Sequence, residues 1–469
     1  MYKLSYYTFF SDPVGKDRQR VVYSTRGGKM ILITDAAYEL LTNGLAIHLP
    51  DPYQQKLVTA RILVPAGENE LESVIGENVE AVNVVGGQLN EVIQPTAMCQ
   101  LGCYYCGQQH TKASMSESII EELVDRIVDK FKAGGYSSLH ISWFGAEPLM
   151  ALPQMRAIYS RLTEKIGDPA VKIGGKIVTN GLSLKEKIFQ ELMTKFHIST
   201  IEVTLDGLGR YHDEHRYTKA GGESFDLIYR NLKAALSGSS FYGSNSPVII
   251  RCNVDRKNID GVEPLIRQLA LDGLHTKIRK LYFIGVYSWA GNEAHKNNVS
   301  KEEFAMLHLK WEILKIKLGY PFGATLYPRK KVTCIAVGGN SEVYDAYGNI
   351  YNCTEISYAD YYPAGQYQTG HLEKEPLRVE GKKPFNDWYE TVRSEDRFPC
   401  TRCRILPICG GSCPKSWLEG NPACPTYKFS LLQEIKLKYL LATTDERALA
   451  AELAHFEDEM ELSDFSRLE

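Results

Sequence analysis

Ten of the 11 cysteines in this 469-residue chain fall into two spacing patterns, and thiolates so spaced hold iron–sulfur clusters or zinc. The first pattern is Cys99-x3-Cys103-x2-Cys106, which reads CQLGCYYC. It offers three thiolates on one short loop, so a cubane cluster there keeps one iron free to bind a substrate or cofactor. The second lies downstream: Cys334 and Cys353, then Cys400-x2-Cys403-x5-Cys409-x3-Cys413, and finally Cys424. Zinc is the rival ligand, because C-x2-C pairs are common zinc spacings. In a long chain that opens without a secretion signal, such cysteines read as reduced ligands rather than disulfides.

The elements that must position these thiolates follow from hydrophobic periodicity. Residues 1 to about 90 alternate short β-like runs (4–10, 20–24, 30–34) with helix-like stretches (35–42 and 52–63), with a hairpin turn at Arg26-Gly27-Gly28-Lys29. This reads as a small, separate mixed α/β unit, whose plain reading is a structural cap over the domain that follows. From about 91 to 290 the pattern is strand, loop, helix, repeated, as a parallel sheet with right-handed crossovers requires. Six strands are expected, at 91–96, 138–144, 176–179, 200–205, 248–254 and 280–284. Six are too few for a closed eight-stranded barrel, and an open one still gathers its ligands at the carboxyl ends of the strands.

Ser116 should cap a helix carrying Ile119, Ile120, Leu123, Ile127, Val128 and Phe131 on one face, ended by Gly134-Gly135. A linking helix is expected at 299–319, with Phe304, Leu307, Trp311 and Leu314 on one stripe. The cysteine-rich stretch from 325 to 430 has few long periodic segments, so bound metal should contribute to its folding. A charged helical tail follows at 431–441 and 446–460, as packing or solvated surface.

Composition excludes other classes. With 44% apolar residues and this length, two to four domains are expected. The 54 basic and 57 acidic residues leave a net charge of −3, which argues against a nucleic-acid or anionic-membrane partner. The opening residues lack a basic stretch followed by an apolar run, and no 18-residue apolar segment occurs. The expected location is cytoplasmic.

Residues 90–430 resemble the radical S-adenosylmethionine (SAM) enzymes that carry a SPASM domain. CQLGCYYC matches that superfamily's C-x3-C-x-aromatic-C motif, which implies that Cys99, Cys103 and Cys106 ligate a 4Fe–4S cluster, with SAM on its open iron and Tyr105 near the adenine. Phe144-Gly145-Ala146-Glu147-Pro148 resembles the GGEP motif, whose backbone and acid bind the SAM ammonium; Ala146 replaces its second glycine. Thr179-Asn180-Gly181 and Thr204-Leu205-Asp206-Gly207 resemble the family's TNG and S-x-DG segments, placing Asn180, Thr204 and Asp206 on the ribose and carboxylate side of SAM. Arg216, in His212-Asp213-x2-Arg216, is expected at the SAM carboxylate or in support of its loop, and Arg251 and Asn253 on the fifth strand are further candidates. The plain readings of these residues are a capped turn at Asp206 and local polar pairing at His212-Asp213.

The downstream cysteines match the SPASM arrangement, which implies two auxiliary 4Fe–4S clusters: Cys334, Cys353 and Cys413 for the first, and Cys400, Cys403, Cys409 and Cys424 for the second. The first is then one protein ligand short, open to water, a side chain or substrate, since the remaining Cys252 reads as a buried small hydrophobe. The architecture implied is an α/β partial (β/α)6 radical SAM barrel at 89–298, flanked by a winged-helix-like peptide-recognition domain at 1–88 and the SPASM domain at 325–430. A linking helix at 299–324 and a C-terminal charged helix at 431–469 complete it.

The resemblance implies three 4Fe–4S clusters, SAM, a flavodoxin- or ferredoxin-type electron donor, and a precursor peptide whose leader pairs with a strand edge. The expected reaction is hydrogen abstraction by a 5′-deoxyadenosyl radical, installing a thioether or carbon–carbon crosslink. The alternatives are a sulfatase-type maturase making formylglycine, a peptide epimerase, and a non-catalytic metal-binding peptide-interaction protein. Tyr282, Tyr287 and Trp289 are candidates for the substrate mouth, and Asp345, Glu355 and Tyr358 for a base or a cluster ligand.

Overall fold

The computed structural model describes residues 1–460 apart from 16, 85, 239, 322–326, 364, 375–382 and 395–397. The expected boundary between linker and cysteine-rich module at 324/325 and the tail at 461–469 therefore lie outside the described residues.

The chain opens with β1 (Tyr2–Leu4), β2 (Thr8–Phe10), β3 (Arg20–Ser24), β4 (Lys29–Ile33), α1 (Asp35–Thr42), α2 (Asp51–Thr59), β5 (Leu63–Pro65) and α3 (Glu70–Asn83). β2, β3 and β4 form an antiparallel sheet in that order, and β1 pairs with β5. The single strand expected at 4–10 is two, because the buried Glu70 carboxylate accepts from Ser5 Oγ at 2.5 Å and from the Tyr6 N–H at 2.9 Å and turns the chain between them. The helix expected at 52–63 stops at Thr59, where Arg61 at φ 58° turns the chain into β5. Apolar residues continue through Ile62 and Leu63, so periodicity alone runs helix and strand together.

The barrel follows as β6 (Gln88–Ile93), α4 (Glu117–Ala133), β7 (Ser138–Trp143), α5 (Leu152–Ile166), β8 (Lys172–Thr179), α6 (Glu186–Thr194), β9 (Ile198–Thr204), α7 (Arg210–His215), α8 (Phe225–Ser237), β10 (Val248–Val254), α9 (Val262–Leu271) and β11 (Lys280–Gly285). The six strands are parallel and neighbours in chain order. α4 forms as its pattern dictates: Ser116 Oγ accepts from the Ile119 N–H at 3.2 Å, and Ile120, Leu123, Ile127 and Phe131 enter the core.

Beyond α10 (Lys301–Lys317) lie β12 (Val343–Tyr344), β13 (Asn349–Tyr351), β14 (Gly370–His371), α11 (Trp388–Ser394), α12 (Leu406–Cys409), α13 (Pro414–Leu418), α14 (Leu431–Thr443) and α15 (Glu446–Asp458). The cysteine-rich stretch is less separate than its composition suggests. β12 pairs parallel with β6 and carries β13 and β14 behind it, making one nine-stranded sheet. A buried charge network fixes that junction: Arg126 grips Glu342 through Nε and NH2 at 2.9 and 2.8 Å, and Lys130 bridges Glu342 and Glu91.

The N-terminal unit has an apolar core of its own, around Val22, Ile31, Leu41 and Leu57, and also packs against the cysteine-rich module. Tyr7, Val74 and Ile75 pack with Trp388, Tyr389, Phe398, Cys400 and Leu406, while Phe9, Val21 and Tyr23 pack with Ile405, Ile408, Cys409, Leu431 and Ile435. Its apolar faces are thus covered by the cysteine-rich module and α14. α15 places Leu453 and Phe456 against Leu309, Ile313 and Leu437, so the charged tail is packed along one face. Among the described residues no helix is long and apolar enough to cross a membrane.

Candidate active site

The carboxyl ends of the barrel strands open onto one cavity of about 400 Å³, within the range of about 300–1,000 Å³ typical of small-molecule sites. β6 ends at Ile93 and leads into the loop of Cys99, Cys103 and Cys106; β7 leads into Phe144-Gly145-Ala146, β8 into Asn180, and β9 ends at Thr204. Parallel pairing sets Ile93 opposite Trp143, so the loops that follow emerge side by side. Cys99, Cys103, Tyr105, Cys106, Gly145, Ala146, Asn180, Thr204 and Arg216 all line the cavity, together with Arg251 and Asn253.

Burial pushes all three thiols up, Cys103 to about 12, with the Arg216 guanidinium pulling the other way. Binding of a Lewis-acidic metal would displace their protons. Asn180 Nδ2 stands 3.8 Å from Cys99 Sγ as a donor. Arg216 lines the cavity, and its buried Nε has no hydrogen-bond partner. Three thiols beside a guanidinium with an unspent N–H suit a thiolate-held 4Fe–4S cluster with an anionic ligand group next to it.

Two residues expected on the cofactor stand behind the cavity wall. Glu147 is fully buried and accepts from Thr179 Oγ1 at 2.7 Å, the Asn180 N–H at 2.7 Å and the Leu149 N–H at 3.0 Å. Its carboxylate braces the loop after β7 to the loop after β8. Burial pushes its carboxyl up, and those three donors pull against it.

Asp206, also fully buried, accepts from the Tyr105 hydroxyl at 2.5 Å and the Asn253 N–H at 2.8 Å. Burial raises its carboxyl, but His215 and Arg216 outweigh that and hold it at about 2. Tyr105 in turn accepts from Arg216 at 2.6 Å and from Asn253 Nδ2 at 3.0 Å. The cysteine loop, β9, α7 and β10 are thereby locked together through one phenol.

The motif departures are accommodated. Gly145 sits at φ 92°, where a Cβ would meet Gln94 Cβ at 2.8 Å, so this first glycine is required. Ala146 keeps an ordinary φ and needs no glycine.

The cysteine-rich module also contributes to the cavity lining, through Glu355, Cys413, Lys415 and Ser416. Of the three candidates there for a base or ligand, Asp345 is spent on Tyr347 and Asn349, and the Tyr358 hydroxyl on Gln94 and Ala346. Glu355 alone faces the cavity, with Thr354 Oγ1 as donor at 3.4 Å. Tyr287 and Trp289 line the mouth as expected; Tyr282 does not, and sits over Lys280 on β11.

Sequence reasoning missed Gln108, His110, Lys415 and Ser416 in this lining. Their only signal was nearness to Cys106 and Cys413 along the chain. Cys252 is buried in the barrel core.

The downstream thiols gather in two groups. Burial pushes up the Cys334 and Cys353 thiols, with Cys413 near enough to add to both, and burial likewise pushes up Cys400 and Cys409, with Cys403 and Cys424 near enough to add to both. Among the described residues no three His, Cys, Asp or Glu side chains close on a single ion. The four thiols of the second group line a small cavity of their own, a donor set that suits a cubane with one thiolate per iron.

Residues 93–244 match the family model described as the Radical SAM superfamily. The chain is 25% identical over 214 residues to the radical SAM cyclopropyl synthase TigE of Paramaledivibacter caminithermalis, covering 42% of this chain and 43% of that protein. It is 22% identical over 182 residues to the sporulation killing factor maturation protein SkfB of Bacillus subtilis, covering 39% of each. The chain thus spans about two fifths of the length of these curated relatives.

Among solved structures, anSMEcpe with bound AdoMet superposes with a TM-score of 0.57 at 16% identity, covering 78% of this chain and 98% of that one. Streptococcus suis SuiB bound to S-adenosylmethionine gives 0.50 at 17%, covering 90% and 98%. These likenesses establish a shared fold. Since the matched segment begins at the end of β6 and spans the three-thiol loop and the loops after β7, β8 and β9, the chain carries a radical SAM domain.

Proposed function

We propose that this protein is a radical SAM enzyme that modifies a ribosomally made precursor peptide, installing a thioether or carbon–carbon crosslink. The observation that carries this reading is that Cys413, from the three-cysteine group of the C-terminal module, lines the same cavity as Cys99, Cys103 and Cys106. Bound there, a 4Fe–4S cluster and SAM would supply a radical able to take hydrogen from an unactivated C–H bond. Cys99, Cys103 and Cys106 hold the cluster, while Gly145, Ala146, Asn180, Thr204 and Arg216 form the wall against which SAM lies. Glu147 and Asp206 keep that wall rigid from behind. The two downstream groups would hold auxiliary clusters in a SPASM domain, the first with three thiolates and the second with four. The electron comes from a flavodoxin- or ferredoxin-type donor.

The N-terminal unit is the peptide-recognition domain, of winged-helix type. β4 is an edge strand with no strand on its outer side among the described residues. A groove of about 640 Å³ runs between it and α2, lined by Met30, Ile31, Gln55, Lys56 and Thr59. An extended leader fits such an edge, with backbone bonds for affinity and the groove for side chains.

Epimerisation requires a hydrogen atom returned to the substrate, commonly from a thiol. The only cysteine outside the three groups, Cys252, is buried away from the cavity, which supports an oxidative outcome.

The test is mass spectrometry of the short peptide encoded beside the gene, co-expressed with the enzyme under low oxygen. A loss of two hydrogens per event is expected. SAM cleavage with the peptide unchanged in mass and stereochemistry would overturn the reading, and deuterium uptake from heavy water at constant mass would replace it with epimerisation. Thr59→Trp, which fills the groove from an exposed position, should abolish modification and leave SAM cleavage intact. Modification at the normal rate would remove the leader-binding role. Deleting the N-terminal unit is less suitable, because it would uncover Cys400 and Cys409.

A further inference from the structure

We infer that the N-terminal unit and the second cysteine group are one cooperative unit: loading Cys400, Cys403, Cys409 and Cys424 with their cluster locks the N-terminal unit in place, and emptying them releases it. The loop that runs from Cys403 to Cys409 lies against β2. Arg404 Nε donates to the Tyr6 carbonyl at 3.1 Å, and its NH2 donates to the Thr8 carbonyl. Thr25 Oγ1 donates to the Arg404 carbonyl at 2.7 Å, and the Tyr6 hydroxyl to the Arg402 carbonyl at 2.6 Å. The Arg404 guanidinium also lies 4.5 Å over the Phe9 ring.

The ligands themselves are in the contact. Cys409 packs in one apolar cluster with Phe9 and Tyr23, and Cys400 in another with Tyr7. Yet residues 399–413 contain only a short 3-10 turn and the four-residue α12. So little regular structure cannot hold its own shape, and four thiolates closing on one cluster would fix it. A surface shaped by the cluster is then the surface on which β2 rests. Linkage makes the effect reciprocal: whatever the cluster adds to docking, docking adds to retention of the cluster. If the N-terminal unit recruits the peptide, recruitment becomes conditional on a loaded second group; that consequence rests on the function proposed above, whereas the coupling does not.

The experiment uses the full-length, anaerobically reconstituted protein without peptide. Hydrogen exchange read by mass spectrometry is compared between the wild type and a Cys403→Ser, Cys424→Ser variant. Exchange at residues 2–10 and 20–33 should rise at least tenfold while the barrel strands stay protected. Unchanged N-terminal exchange at one cluster's less iron would overturn the inference. The converse arm keeps every ligand: in Phe9→Ala, iron should pass to a chelator several-fold faster in one of the three cluster phases. An unaltered release rate would equally overturn it.

Discussion

Glu147 separates two accounts of the cavity. If it binds the SAM ammonium, its charge matters only when SAM is present; if it braces two loops, its loss is felt by the empty protein. In Glu147→Gln the remaining oxygen can still accept from Thr179 Oγ1 and the Leu149 N–H, both of which meet Oε1, but the new NH2 faces the Asn180 N–H that Oε2 accepted. One buried hydrogen bond to a charged acceptor is lost, worth about 1.5–3 kcal/mol. Urea unfolding of the SAM-free protein should show that loss. Because about 1.4 kcal/mol is tenfold, exchange of the Asn180 amide should accelerate by roughly 10- to 150-fold. An unchanged unfolding midpoint and Asn180 exchange, with SAM binding lost, would refute the brace and restore Glu147 to the ammonium.

Two further predictions concern the glycine motif and the junction between modules. Gly145→Ala should destabilise by about 1–2 kcal/mol from its backbone conformation and about 1–3 kcal/mol from the Cβ forced against Gln94, and should weaken SAM binding. Ala146→Gly should cost only about 0.5–1 kcal/mol, and equal urea midpoints for the two variants would contradict the geometry. At the junction, burial pushes the Glu91 carboxyl up to about 7 against the pull of Lys130, with Glu342 adding to the rise. The native state therefore holds that proton more tightly than the unfolded chain, and its stabilisation is full below 4.5 and lost as pH rises through about 7. Glu342, held well below the usual carboxylate range despite burial by Arg126 and Lys130, acts oppositely and only at lower pH. Urea midpoints at about pH 5 and about pH 7.5 should fall with pH in the wild type and much less in Glu91→Gln; parallel slopes would refute the assignment.

Local geometry was legible from the residues alone. The three-thiol loop, the α4 cap at Ser116 and the six barrel strands follow from spacing and periodicity, and the strand at Val248–Val254 is placed to the residue. The grouping of the downstream thiols into two sets came from the SPASM resemblance, because neither spacing nor periodicity says which of them meet. β12 and β14, of two residues each, were not legible, because so short a run carries no period. Nor was the direction of Glu147 and Asp206, whose carboxylates turn inward to satisfy buried donors instead of facing the cavity. The tertiary structure alone brought Cys413 and Lys415 into the same cavity as Cys99, and seated β2 on Arg404 nearly 400 residues away. Spacing and periodicity report what a segment does to itself; which surfaces meet, and which polar groups are left to face the substrate, depends on packing among segments that no local pattern records.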